Sequence, residues 1–158
     1  MCTDDETRER VATLIRVDAA QYTIAREFFE RNSHFLCLVA RGQYSPRGDD
    51  QLLRTNIGVI KDHFQDVSAE KWNEENLKLA FDGVIENIAK KWGPDQNQSL
   101  DGSRQCRNAV QHFLRWALTG SRPGPALIVT MTMLGRRVSL LRIEDAANAF
   151  KNMTEEKS

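Results

Sequence analysis

The sequence has few cysteines and no excess of charge of either sign. Its three cysteines, Cys2, Cys37 and Cys106, lie far apart, so the paired spacing of a zinc site is absent. Such a scattered set is typical of buried thiols in a reducing compartment. Basic and acidic residues number 22 each among 158 residues, so the net charge gives no indication of nucleic-acid binding. What remains is the composition of an ordinary globular chain with enough apolar residues for a core.

Long hydrophobic runs and targeting signals are also missing. Apolar runs such as 35–40 and 126–129 are far shorter than the roughly 20 residues that a membrane-spanning helix needs. The acidic N-terminal sequence TDDE is unlike a secretory signal or an arginine-rich transit peptide. We therefore expect an intracellular protein without a membrane partner.

Signatures of catalysis are absent from the sequence. None of the three histidines, His34, His63 and His112, has a second ligand at metal-ligand spacing. There is no glycine-rich phosphate loop, and no nucleophile is paired with a base. Pairs of acidic residues lie at predicted helix starts, where they stabilise the helix dipole. We predict that this chain by itself has no catalytic residue, no metal site and no cofactor.

Apolar residues recur with helical periodicity, and no pair of strands is indicated, so we predict an all-α fold. The predicted cap of the third helix is Ser68, with Val67 and Trp72 forming a hydrophobic staple at its start. Glycines and prolines end the predicted helices. The predicted helices cover about residues 3–32, 50–64, 68–92, 103–118, 125–134 and 136–150.

A polar segment with glycine and proline, residues 93–101, is the clearest linker in the chain. It predicts a division into two small helical-bundle subdomains, residues 1–92 and residues 102–152. The three last predicted helices would form the second of these.

Charge is distributed unevenly along the chain. Between Gly102 and Ile143 the sequence has no acidic residue. This asymmetry predicts a basic face, although an ordinary solvated helix surface would give the same pattern. The same segment contains seven arginines: Arg104, Arg107, Arg115, Arg122, Arg136, Arg137 and Arg142.

One face of the helix predicted over 103–118 carries Arg104, Asn108, Gln111 and Arg115. A guanidinium is a planar fork of donors, and each amide offers a donor beside an acceptor, which suits the edges of splayed RNA bases. The alternative is a polar face that only keeps the helix soluble. Arg115 could also cap the end of this helix by bonding its carbonyl groups.

A stiff loop follows this helix. Gly120 is predicted to adopt the left-handed conformation that ends helices, and two prolines flank Gly124 in the next five residues, 121–125. The bend is expected to present backbone groups beside Arg115 and Arg122. A tight interhelical turn without a binding role is the alternative.

The sequence LRWALTGSRPGPALIVTMTMLG followed by RRVSLLRIEDA resembles the C-terminal end of bacterial and organellar glutamyl-tRNA synthetases, which are class I aminoacyl-tRNA synthetases. In that family an Arg-x-Ala-Leu-Thr-Gly motif precedes a Gly-Pro bend, a short helix ending in Leu-Gly, and a last helix containing an arginine. The resemblance spans residues 113–146. Weaker similarity covers VATLIRVDAAQYTIAREFFERN and VSAEKWNEENLKLAFDGVIENIAKKW. Class I lysyl-tRNA synthetases have a similar helical end.

The resemblance implies the anticodon-binding module of a glutamate–tRNA ligase, with a glutamate-accepting tRNA and the parent enzyme's catalytic domain as partners. The family's ATP-binding signatures have no counterpart in this sequence, so ATP would belong to that catalytic domain. We expect a monomer, in the mitochondrial matrix for an organellar enzyme and in the cytoplasm otherwise. The alternative is a helical protein-interaction module, or a degenerate relative that does not bind tRNA.

The resemblance also implies roles for particular residues. The family's bend often carries a hydroxyl where this chain has Gly124, so discrimination between bases is expected to be weaker here. By position, the resemblance implies contacts with anticodon bases for Arg115, Gly124, Pro125 and Leu127. Separately from the resemblance, Asn108 and Gln111 share the base-binding face of the helix with Arg115. Phosphate contacts are expected of the arginines spread along the basic surface, Arg104, Arg107, Arg122 and Arg136.

Overall fold

The computed structural model describes residues 4–18, 33, 50–91 and 100–155. Within these ranges the chain forms five α-helices and one short 3₁₀ turn, with no strand, which confirms the all-α prediction. The helices are α1 (Asp4–Asp18), α2 (Asp50–Gln65), α3 (Glu74–Lys91), α4 (Leu100–Thr119) and α5 (Leu127–Glu155), and the 3₁₀ turn is Ala69–Lys71.

The apolar stripes of the five helices meet in one hydrophobic core. Phe113 of α4 lies near its centre, with its ring centroid 6.1 Å from those of both Trp116 and Phe150. Cys106 is buried in the same core, and burial raises the pKa of its thiol to about 11, as expected of an unreactive cysteine. Helices before and after the predicted linker therefore share this core, and the division into subdomains stays a prediction.

The start of α4 differs from the prediction. The predicted linker includes residues 100 and 101, whereas the helix begins at Leu100. The glycine at 102 made this segment resemble a loop, but Gly102 is buried inside the first turn of the helix. Tertiary packing here overrides a poor intrinsic helix propensity. The rest of the predicted linker, and residues 19–32 of the predicted first helix, lie outside the described residues.

The start of α3 also differs. Ser68 makes no side-chain capping hydrogen bond and precedes the 3₁₀ turn instead. The helix begins at Glu74, and the cap is Asn73, whose Oδ1 accepts a hydrogen bond of 3.0 Å from the backbone N–H of Asn76. Because Trp72 precedes the helix, it cannot occupy the first-turn position that the predicted staple requires.

Helix α5 is broken at Gly135, which has φ of 77° and ψ of 166°. This confirms the predicted break between two helices, the first of which begins at Leu127 rather than at 125. The carbonyl of Met131, in the last turn before the break, accepts hydrogen bonds from Trp72 Nε1 at 3.0 Å and from Ser139 Oγ at 3.3 Å. A side chain before α3 and another beyond the break thus satisfy a helix-end carbonyl.

Trp72→Phe should lower the free energy of unfolding by about 1 kcal/mol, the typical net contribution of one hydrogen bond. The substitution keeps an aromatic ring but removes the indole N–H that binds the Met131 carbonyl. Urea unfolding followed by circular dichroism measures the difference. An unchanged midpoint and slope would show that this hydrogen bond does not hold the region before α3 against α5.

Candidate nucleic-acid interface

The polar face of α4 forms an open cleft of about 410 Å³. Its lining residues are Asn108, Gln111, His112 and Arg115. Three of them were predicted from the sequence, and the structure brings these three together. The sequence predicts no metal-ligand role for His112, which lies four residues after Asn108 and three before Arg115 and therefore shares their face.

Arg115 is the most enclosed charged group of the cleft. It is partly buried, and this burial lowers the pKa of its guanidinium from the ordinary value. An arginine stays protonated at neutral pH even so, and a guanidinium with less surrounding water forms stronger electrostatic contacts. A positive, fork-shaped donor therefore lies beside the exposed amide-bearing residues Asn108 and Gln111.

The loop after α4 is ordered by hydrogen bonds to the end of that helix. Gly120 has φ of 63°, which confirms the predicted left-handed conformation, and Ser121 follows with φ of 65°. The backbone N–H of Ser121 reaches the carbonyl of Arg115 at 3.3 Å, and that of Arg122 reaches the carbonyl of Thr119 at 3.3 Å. The left-handed serine is uncommon for a residue with a Cβ, and nothing in the sequence indicated it.

Arg115 and the proline bend are joined through one side chain, that of Thr130 in the first turn of α5. Arg115 Nη1 donates to Thr130 Oγ1 at 3.4 Å. The same hydroxyl donates to the carbonyl of Pro125 at 3.2 Å. Arg115 thus lies beside the bend, as predicted, and hydrogen bonds through Thr130 connect the two.

The remaining residues assigned to base contacts differ in exposure. Gly124 and Pro125 are partly exposed. Leu127 is only 5% exposed and belongs to the core. Its side chain therefore packs in the core between helices and is not exposed to a ligand.

Arg107 lies on α4 but points its charge at α3. Its Nη2 forms an ion pair with Asp82 Oδ1 at 2.8 Å, and its guanidinium carbon lies 5.3 Å from the centroid of the Phe81 ring. Both contacts link α3 to α4. A guanidinium already paired with a carboxylate is a weaker phosphate ligand than an unpaired one, because binding must compete with that carboxylate.

Arg136 and Arg142 bind the ends of other helices. Arg136 donates from Nη2 to the carbonyl of Gln65, the last residue of α2, at 2.9 Å, and from Nε to the carbonyl of Val67, just after that helix, at 2.8 Å. Arg142 Nη1 donates to the carbonyl of Leu118 at 2.6 Å, in the last turn of α4. The capping role considered for Arg115 thus belongs to Arg142 at this carbonyl.

Apart from Arg115, the arginines of the acid-free segment therefore fall into two groups. Arg107, Arg136 and Arg142 are engaged with a carboxylate or with backbone carbonyls. Arg104 and Arg122 are exposed on α4 and its following loop, and Arg122 Nη1 reaches Ser33 Oγ at 3.2 Å. Arg137 is exposed on α5. The basic surface next to the cleft is consequently smaller than the sequence suggests.

No group of three or more histidine, cysteine, aspartate and glutamate side chains is arranged to hold a metal ion in the described ranges. Among the helices that the structure describes, none combines the length and apolar character needed to cross a membrane.

The described residues thus form an all-α fold with a cleft of guanidinium and amide groups beside the bend. In the comparison with protein families, residues 107–147 match the family model of the anticodon binding domain. The matched segment contains the cleft, the bend and the break in α5. It supports an anticodon-binding domain of a tRNA synthetase, with tRNA as its partner. Neither the curated proteins nor the solved structures gave a significant match to the chain.

Proposed function

We propose that this chain binds the anticodon loop of a glutamate-accepting tRNA, as the anticodon-binding part of a glutamate–tRNA ligase. The observation that carries the proposal is the cleft on α4, which Arg115, Asn108 and Gln111 line beside the bend. These residues lie inside the segment that matches the anticodon binding domain. The glutamate assignment depends on the Arg-x-Ala-Leu-Thr-Gly motif and the Gly-Pro bend that follows it.

Recognition in this cleft would use unpaired bases. Bases of a single-stranded loop can leave their stack and expose their edges to side chains. The Arg115 fork donates to acceptors on one base, while Asn108 and Gln111 both donate and accept. The hydrogen-bonded bend adds backbone groups whose positions are set before binding, which reduces the entropy lost on binding.

The catalytic steps would take place elsewhere in the parent enzyme. A catalytic domain would bind ATP and glutamate, while this chain would hold the anticodon and thereby select the tRNA. For the competing role in protein interaction, an exposed apolar patch would be needed. The large exposed apolar side chains in the described ranges are Ile15, Val17, Leu79 and Leu141, which are distributed over three helices.

Binding of the purified chain to three transcripts tests the proposal. They are glutamate tRNA, the same tRNA with its anticodon replaced, and lysine tRNA. In a filter-binding titration, we expect the tightest binding to glutamate tRNA with its own anticodon. Equal binding to the lysine tRNA would contradict the glutamate assignment, and no binding to any tRNA would contradict RNA recognition and favour a protein-interaction role.

Arg104 and Arg107 make a matched pair for separating phosphate contacts from structural contacts. Both are exposed arginines on α4, but only Arg107 is paired with Asp82. Arg104→Ala should weaken binding of every tRNA alike and reduce the slope of log affinity against log salt by about 1, as expected for one lost phosphate contact. Arg107→Ala should leave that slope unchanged. The same decrease in both variants would show that the ion pair opens to bind RNA.

A further inference from the structure

The hydroxyl of Thr130 bonds in an unusual direction. Threonine inside a helix commonly donates to the carbonyl four residues earlier, as Thr132 does to Ile128 at 3.0 Å. Thr130 donates instead to the carbonyl of Pro125, five residues earlier and outside the helix, at 3.2 Å. It also accepts a hydrogen bond from Arg115, which lies fifteen residues earlier in the chain.

These two bonds use the hydroxyl in complementary ways. A hydroxyl has one proton to donate and lone pairs that accept. Donation to Pro125 directs a lone pair of Thr130 toward the Arg115 guanidinium, which has only donors. Thr130 is fully buried, so water does not compete for the hydroxyl, and the position of the bend is coupled to that of the guanidinium.

We propose that Thr130 is a positioning residue that holds Arg115 in register with the proline bend and thereby determines how well the chain discriminates between anticodon bases. The inference rests on the proposed tRNA-binding function. Being fully buried, Thr130 touches no RNA itself. Its effect passes through the two groups it binds, the Arg115 guanidinium and the Pro125 carbonyl.

A comparison of three variants of the complete chain tests this role. Thr130→Val removes the hydroxyl, Thr130→Ser keeps it, and Thr132→Val removes a hydroxyl that binds only its own helix. The measured quantity is the ratio of affinities for glutamate tRNA and for the same tRNA with a replaced anticodon. Thr130→Val should lower this ratio about tenfold, as expected for one lost hydrogen bond to a charged group. In Thr130→Ser and Thr132→Val, the ratio should stay within about twofold of the value measured for the unchanged chain.

Hydrogen exchange of the loop amides provides a second measurement that needs no RNA. Thr130→Val should increase exchange over residues 121–126, and Thr132→Val should not. Faster exchange with an unaltered affinity ratio, or an equal loss of affinity for both transcripts, would overturn the positioning role and leave a structural one. Unaltered exchange in Thr130→Val would overturn the coupling itself. Two results for the unchanged chain, equal binding of both transcripts or binding of neither, would each contradict the proposed function and therefore also the role of Thr130 in recognition.

Discussion

Replacing Gly135 with alanine should lower the free energy of unfolding by about 1–3 kcal/mol, the cost of placing a side-chain-bearing residue in a backbone region that glycine alone occupies readily. The expected cost is purely conformational, because a Cβ at Gly135 would meet no atom within 4 Å. Its φ of 77° with ψ of 166° lies outside the regions open to other residues. Urea unfolding monitored at the helical circular dichroism band measures the loss.

Gly58 provides the matched control because it lies in α2, and a Cβ there would also meet nothing within 4 Å. Alanine is favoured over glycine inside a helix by about 0.5–1 kcal/mol, so Gly58→Ala should stabilise the protein while Gly135→Ala destabilises it. Equal stabilisation by both substitutions would mean that α5 becomes continuous when Gly135 is replaced, and that the break contributes little to stability.

Arg115→Ala should reduce the preference for glutamate tRNA over its anticodon-substituted form by about 1–3 kcal/mol, or roughly 5- to 150-fold, by analogy with arginine–base pairs in DNA grooves. The reason is that alanine removes the planar fork from the cleft while leaving the amides of Asn108 and Gln111 in place. Filter-binding titrations with the two transcripts measure the preference.

Arg115→Lys separates charge from shape. Lysine keeps the positive charge but lacks the rigid fork, so the variant should still bind both tRNAs, but with similar affinities, because the extra affinity for glutamate tRNA is mostly lost. In the structure, Arg142 binds the helix-end carbonyl of Leu118. The base-reading role of Arg115 is what this comparison tests. A large decrease in melting temperature of Arg115→Ala with an unchanged preference between transcripts would contradict base reading.

Local signals allowed much of the fold to be predicted from the sequence. Apolar periodicity identified α2 to within one residue at its C-terminus, because an amphipathic stripe reflects the direction of the core. The left-handed Gly120 and the break at Gly135 were also predicted. Both depend on the intrinsic conformational freedom of glycine, which does not require knowledge of distant neighbours.

The roles of the arginines could not be predicted in the same way. In the sequence, Arg136 and Arg104 are equivalent basic residues in an acid-free segment. In the folded chain Arg136 binds carbonyls 69 and 71 residues away, while Arg104 is exposed on α4. An arginine binds backbone carbonyls in this way only where the fold brings the end of another helix next to it. The burial of Thr130 between Arg115 and the bend is another feature of tertiary packing.

The turn between α2 and α3 is held to α5 on both sides of Gly135. Trp72 binds the carbonyl of Met131 before the break, and Arg136 binds the carbonyls of Gln65 and Val67 after it. These bonds join residues 59 to 71 positions apart, so each requires the closure of a long loop. During synthesis from the N-terminus, α2 and α3 would leave the ribosome well before their partners in α5. The turn between them would acquire its native hydrogen bonds only after translation has passed Arg136.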